Sequence, residues 1–139
     1  MRISIEKLDE DVDEPHVRLI ISSGNFSAAQ DSYISDEYFL EFGKALQSFP
    51  QHLKHEIIFD DGSPDPKYYC YILLRAFVYD GVGHSALEVR IENHGVAPYS
   101  AAAHFHILCE VATLNDLGKS LESWVVSKEK KFVYPNGGT

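Results

Sequence analysis

His104-Phe105-His106, followed by Glu110, has the best metal-like spacing in the chain. In an extended strand all three side chains point to one side, and imidazole with carboxylate suits zinc, iron or manganese. The plainer alternative is a pair of surface histidines on a solvated sheet face. Gly81-Val82-Gly83-His84-Ser85-Ala86 fits the letters G-x-G-x-x-A. A dinucleotide fingerprint must open a helix, yet Leu87-Glu88-Val89-Arg90-Ile91 follows and alternates like a strand, so the glycines serve a hairpin turn. Asp60-Asp61-Gly62-Ser63-Pro64-Asp65-Pro66 reads as turn chemistry and lacks EF-hand spacing. The sequence has no G-x-S-x-G, P-loop or H-E-x-x-H motif. Strand parity sends Cys109 and His106 to opposite faces, which argues against a Cys/His nucleophile. No catalytic residue and no cofactor is assigned from these patterns; a small metal-dependent enzyme using His104, His106 and Glu110 is the alternative function they leave open.

The elements that must position these residues come from hydrophobic periodicity. Strands are predicted near 2–7, 17–23, 26–34, 55–60, 68–79, 85–93 and 100–112. Ser22-Ser23-Gly24-Asn25 and Asp80-Gly81-Val82-Gly83 look like hairpin connections. Phe39, Phe42, Leu46 and Phe49 follow helical spacing, with Ser35 as N-cap and Pro50 as the stop. Leu114, Leu117, Leu121 and Trp124 repeat that spacing, with Thr113 as the expected cap. The two helices also share Gly, Lys, Leu and Ser at matching places in 42–49 and 117–124, an offset of 75 residues. Duplication of a strands-then-helix half and convergence on a good amphipathic helix both account for this. Each glycine costs about 1 kcal/mol relative to Ala in a helix, so each is expected to let its helix lie close against the sheet.

Parity then sorts core from surface. Cys70, Ile72, Leu74, Ala76 and Val78 share one face, with Leu87, Val89 and Ile91 and then Phe105, Ile107, Cys109 and Val111 beside them. The expected fold is α+β: a single antiparallel sheet of about six or seven strands with two helices on one face. The opposite face carries Tyr69, Tyr71, Leu73, Arg75, Phe77 and Tyr79, then Glu88, Arg90 and Glu92, then His104, His106 and Glu110. Glu88 and Glu92 with Arg90 between them read as a cross-strand charge ladder rather than an acid/base pair. Tyr and Arg are enriched at interface hot spots, and four aromatics on the outer parity of one strand exceed what a solvated sheet needs. All of these but Leu73 and Phe77, ten residues, form the candidate partner-binding surface. Its expected occupant is another protein, with the N-terminal segment or a second copy of the chain, making a homo-oligomer, as alternatives.

Composition limits the partner. At 139 residues the chain fits one domain, and 45% hydrophobic residues exclude a disordered one. Its net charge of −9 argues against nucleic acid, whose phosphates call for a cationic surface, and suits a basic partner. Residues 1–15 hold six carboxylates against two cations, a net −4 in what reads as a solvated acidic loop, with an electrostatic lure for a basic partner as the alternative. The seven histidines would bring −9 to −2 if all were protonated, so a charge-steered encounter should slow as pH falls below about 6.5. The start, MRISIEKLDEDVDEP, does not run from basic into apolar, and the apolar stretch from Tyr68 to Tyr79 carries Arg75 and is too short to span a bilayer. A cytoplasmic protein with reduced Cys70 and Cys109, no membrane contact and a fraying tail over 128–139 is expected.

The order of elements resembles the small immunity proteins of bacterial polymorphic-toxin systems, of the Wap-type immunity family and related domains. Its carriers are Tyr38-Phe39-Leu40-Glu41-Phe42 through Phe49-Pro50, then Gly83-His84-Ser85-Ala86-Leu87-Glu88-Val89. His104-Phe105-His106-Ile107-Leu108-Cys109-Glu110 and the closing Leu117-Gly118-Lys119-Ser120-Leu121 helix complete them. The resemblance spans residues 17–126 and rests on hydrophobic patterning. It implies a protein without catalytic activity that binds and blocks a cognate toxin domain, often a basic nuclease.

Overall fold

Residues 1–9 and 13–135 are described by a computed structural model. In chain order the elements are β1 (Arg2–Lys7), β2 (His16–Ser22), β3 (Ser27–Tyr33), α1 (Asp36–Gln47), β4 (Glu56–Gly62), β5 (Cys70–Val78), β6 (Ser85–Asn93), β7 (Ala101–Cys109), α2 (Val111–Ser127) and β8 (Lys131–Tyr134). The α+β class holds, but the single sheet does not. The strands divide into two antiparallel four-stranded sheets, ordered β3-β2-β1-β8 and β4-β5-β6-β7.

The division follows from where the chain goes after each helix. Asp36 and Val111, which open α1 and α2, stand 75 positions apart, as do Gly43 and Gly118, and Glu56 and Lys131, which open β4 and β8. After α1 the chain enters β4, which pairs with β5; after α2 it enters β8, which pairs back to β1. Each half thus gives its last strand to the other half's sheet. The equivalence extends beyond two helices to the strand before and the strand after each, as duplication of a strands-then-helix unit requires.

The glycines serve the helix pair, not the sheet. A Cβ on Gly43 would meet the Gly118 carbonyl oxygen at 2.8 Å, Leu121 Cβ at 3.1 Å and Glu122 N at 3.3 Å. A Cβ on Gly118 would strike the Gly43 carbonyl oxygen, Leu46 Cβ at 2.7 Å and Gln47 N at 3.1 Å, the same contacts shifted by 75 positions. Backbones this close leave no room for a methyl group. The Gln47 amide donates to Glu122 Oε1 at 3.0 Å, and the Asn115 amide donates to the Leu46 and Phe49 carbonyls at 2.7 and 2.8 Å. The last carbonyls of α1 thereby find a donor on α2.

Ser35 caps α1 as expected, accepting the Tyr38 N–H at 3.2 Å. The start of α2 lies three residues earlier than expected: Glu110, not Thr113, is the N-cap, and its carbonyl accepts from the Thr113 and Leu114 N–H groups. The inward rows hold except at their ends, where Val78 and Cys109 are only partly buried and Val111 opens α2 instead of continuing β7. Ile72, Leu74, Ala76, Leu87, Val89, Ile91, Phe105 and Ile107 are buried in one cluster with Ile3, Ile5 and Leu19 of the first sheet and the apolar stripes of both helices. Both sheets and both helices therefore share one core. Phe26 stacks on Phe105, and Ser32 of β3 donates to Asp61 of β4, fastening the first sheet to the second.

Two expectations at the chain ends are corrected. The acidic segment 1–15 is not one loop, because β1 is an inner strand with Ile3 and Ile5 in the core; Glu10 and Asp11 lie outside the described residues. The tail does not fray through residue 134. Lys128 takes the left-handed conformation (φ 63°) after α2, and β8 then buries Phe132 and Tyr134 against β1. Burial and a hydrogen bond to Asp116 push the Tyr134 hydroxyl up to about 12. Residues 136–139 lie outside the described part.

Candidate interaction face of the second sheet

The meander β4-β5-β6-β7 presents every second residue to solvent, and its register sets which of them meet. Ile58 stands opposite Arg75, Arg75 opposite Glu88, and Glu88 opposite His106; Leu73 stands opposite Arg90, and Arg90 opposite His104. The centre of the face is Glu88, whose side chain is only 13% exposed. It accepts from Arg75 Nε at 2.6 Å on one oxygen and lies 2.7 Å from His104 Nε2 and 4.0 Å from His106 Nε2 on the other. Arg75 also donates to Glu56 at 2.9 Å, and its guanidinium lies 3.9 Å above the Phe77 ring. Phe77 in turn meets His106 edge-on, so aromatic surface floors the ion network. Burial alone would raise the Glu88 carboxyl, but the hydrogen bonds from Arg75 and His104 outweigh it and hold the group below its ordinary range. Burial likewise opposes the Arg75 charge, and Glu88 with Glu56 more than restores it.

A second group lies toward the other end of β6. Arg90 donates to Glu92 at 2.7 Å and its guanidinium lies 5.2 Å from the Tyr71 ring centre. His94 follows, with Nε2 2.9 Å from Glu92 and Nδ1 2.9 Å from the Tyr68 carbonyl oxygen. Both partners are acceptors, and a neutral imidazole can donate from only one nitrogen. The site therefore favours the imidazolium, and the hydrogen bond to Glu92, then that to Tyr68, raises the His94 pKa.

Eight of the ten expected residues lie along this face. Arg75, Glu88, His104 and His106 converge; Tyr71, Arg90 and Glu92 form the second group; Tyr69 flanks the start of β5 and is 68% exposed. Glu110 does not join the histidines. Strand β7 ends at Cys109, so Glu110 starts the helix and leaves the strand's alternation, and Glu88 on the neighbouring strand takes its place beside His104. Tyr79 lies beyond β5 with its ring stacked on His84, lining a separate groove with Leu108, Cys109 and Glu110.

Three contributors fell outside the expected set: Glu56, Phe77 and His94. Phe77 shares the parity of Arg75, and His94 continues that of Glu92, so both had a signal in the alternation. Glu56 had none, because its role depends on β4 pairing with β5. The Gly81–Gly83 segment is the predicted hairpin turn: the Val82 and His84 N–H groups donate to Asp80, and Gly83 has φ +91°. Among the described residues no helix is long and apolar enough to cross a membrane. No protein-family model and no curated protein matches the chain.

Proposed function

We propose that this chain is a binding protein without catalytic activity that docks a protein partner on the outer face of β4–β7, most concretely an immunity-type protein masking a toxin domain. The observation that carries the reading is the open Arg75–Glu88–His104 network on its Phe77 floor, flanked by exposed Ile58 and Leu108. Arg and aromatic side chains, with apolar residues beside them, are the types enriched at interface centres. The sequence resemblance to polymorphic-toxin immunity proteins supports the same reading. The net charge of −9 favours a basic partner and speeds its encounter.

The test is co-purification of the full chain with the product of the neighbouring open reading frame, followed by binding kinetics. Arg75→Ala and His104→Ala should each weaken the complex about tenfold or more. Arg18→Ala on the other sheet should leave it unchanged, and the association rate should fall with added salt. A complex indifferent to Arg75 and His104, or no complex at all, would overturn the reading.

A further inference from the structure

We infer that Glu88, His104 and His106 form a binding site for a divalent transition-metal ion of the zinc class. The ligand set is not the one the spacing of β7 suggests, since Glu110 is absent from it. It is assembled across two strands: β7 supplies both imidazoles at alternate positions and β6 supplies the carboxylate opposite His106. One ligand atom from each residue lies within 4.8 Å of the others.

Tetrahedral zinc, with bonds of about 2.0–2.1 Å to nitrogen and oxygen, holds its ligand atoms about 3.3 Å apart. The 2.7 Å and 4.0 Å separations from Glu88 to His104 and His106 fall on either side of that value. Both histidines are exposed, so their rings can turn without disturbing the core. A bound ion takes the place of the proton shared between His104 Nε2 and Glu88. The carboxylate needs no rearrangement, because Arg75 holds its other oxygen at 2.6 Å, as an outer partner steadies a metal ligand. The Arg75 charge would oppose a dication by itself. It is offset by Glu56, 2.9 Å away, so the two carboxylates around it leave the cluster net negative. Three protein ligands leave the remaining coordination positions facing solvent, open to water or to a donor from another molecule. The inference stands on the triad alone and does not depend on the proposed docking role.

Titration of the full, tag-free chain with Zn²⁺ by calorimetry tests it. One equivalent should bind, and Co²⁺ should give the visible absorption of a four- or five-coordinate ion. His106→Ala should weaken binding by roughly tenfold or more, and the His104→Ala/His106→Ala pair should abolish the equivalent and the cobalt spectrum. Replacing the other neighbouring histidines, His52→Ala/His55→Ala, should change neither. No bound equivalent in the unaltered chain, binding that survives loss of His104 and His106, or binding lost with His52 and His55 would each overturn the site. Circular dichroism of every variant separates loss of a ligand from loss of the fold.

Discussion

The two sheets are built to one plan, yet their outer faces differ in how deeply they hold charge. On the first sheet Glu6, Arg18 and Asp31 stand opposite one another across β1, β2 and β3. Arg18 grips Asp31 with both Nε and its terminal nitrogen, at 2.8 and 3.0 Å, but its side chain is 48% exposed. On the second sheet the corresponding rung carries Ile58, Arg75, Glu88 and His106, with Phe77 beneath the guanidinium and Glu88 nearly buried. An exposed pair spends its attraction against water, whereas a half-buried one is held by several hydrogen bonds that removal of a partner leaves unmet. Equal topology therefore does not give equal chemistry. The second face joins its charges in a shared, partly buried network, whereas Arg18 and Asp31 on the first form a single, more exposed pair.

The relation between the halves is most exposed to attack where they meet. Gly118→Ala gains about 1 kcal/mol of helix propensity but forces a methyl group into the Gly43 carbonyl and Leu46, an overpacking cost of up to about 3 kcal/mol. A net loss of about 2 kcal/mol in urea unfolding is expected, with Gly43→Ala losing less because its nearest contact is longer. A neutral or stabilising Gly118→Ala would mean the helices are free to separate. The two faces come next. Glu88→Ala strips partners from Arg75 and His104 and should cost about 1–2 kcal/mol, while Asp31→Ala should stay within about 0.5 kcal/mol. Equal losses would erase the contrast between the sheets.

Acid sharpens the same contrast. Glu88 lies below its ordinary value of 4.5, and Asp31, through its hydrogen bond to Arg18, below 3.8. Each therefore adds stability that is present above the ordinary value and lost as pH falls through the lowered one. The stability gap between the unaltered chain and Glu88→Gln should begin to close as pH falls below 4.5, and the smaller Asp31→Asn gap should begin to close only below 3.8. Urea midpoints across that range would show it; a Glu88→Gln gap independent of pH would contradict the pairing. The smallest effect concerns His94. Its pKa is raised, so its contribution is present below 6.5 and lost as pH rises through the higher folded value. Its NMR titration should have a midpoint above 6.5, moving back toward it in Glu92→Gln; a midpoint at or below 6.5 would remove the doubly donating imidazolium.

Much of this was legible because it is local. Alternation from Cys70 to Val78 and from Ser85 to Asn93 placed Arg75 and Glu88 on one face and their neighbours in the core, since parity is a property of the strand itself. Adjacent hairpins then brought the strands together in order. Glu110 was misread because alternation stops counting once a strand becomes a helix, and nothing in Cys109-Glu110-Val111 announces that change. Strand β8 did carry a signal, Phe132-Val133-Tyr134 alternating, but it is four residues long and lies in a basic, Gly-rich end. Glu56 entered the site only through pairing.

By itself, the sequence determined seven of the eight described strands, both helices, the Ser35 cap and, within β5–β7, the face on which each residue stands, all through short-range patterning. Only the tertiary structure decided that eight strands form two sheets, that Gly43 and Gly118 face each other rather than a sheet, and that Glu88 replaces Glu110 beside His104 and His106. Those outcomes depend on pairings between residues far apart in the chain, β1 with β8 above all. No local pattern specifies them, because the same alternating strand satisfies its backbone equally well against either neighbour.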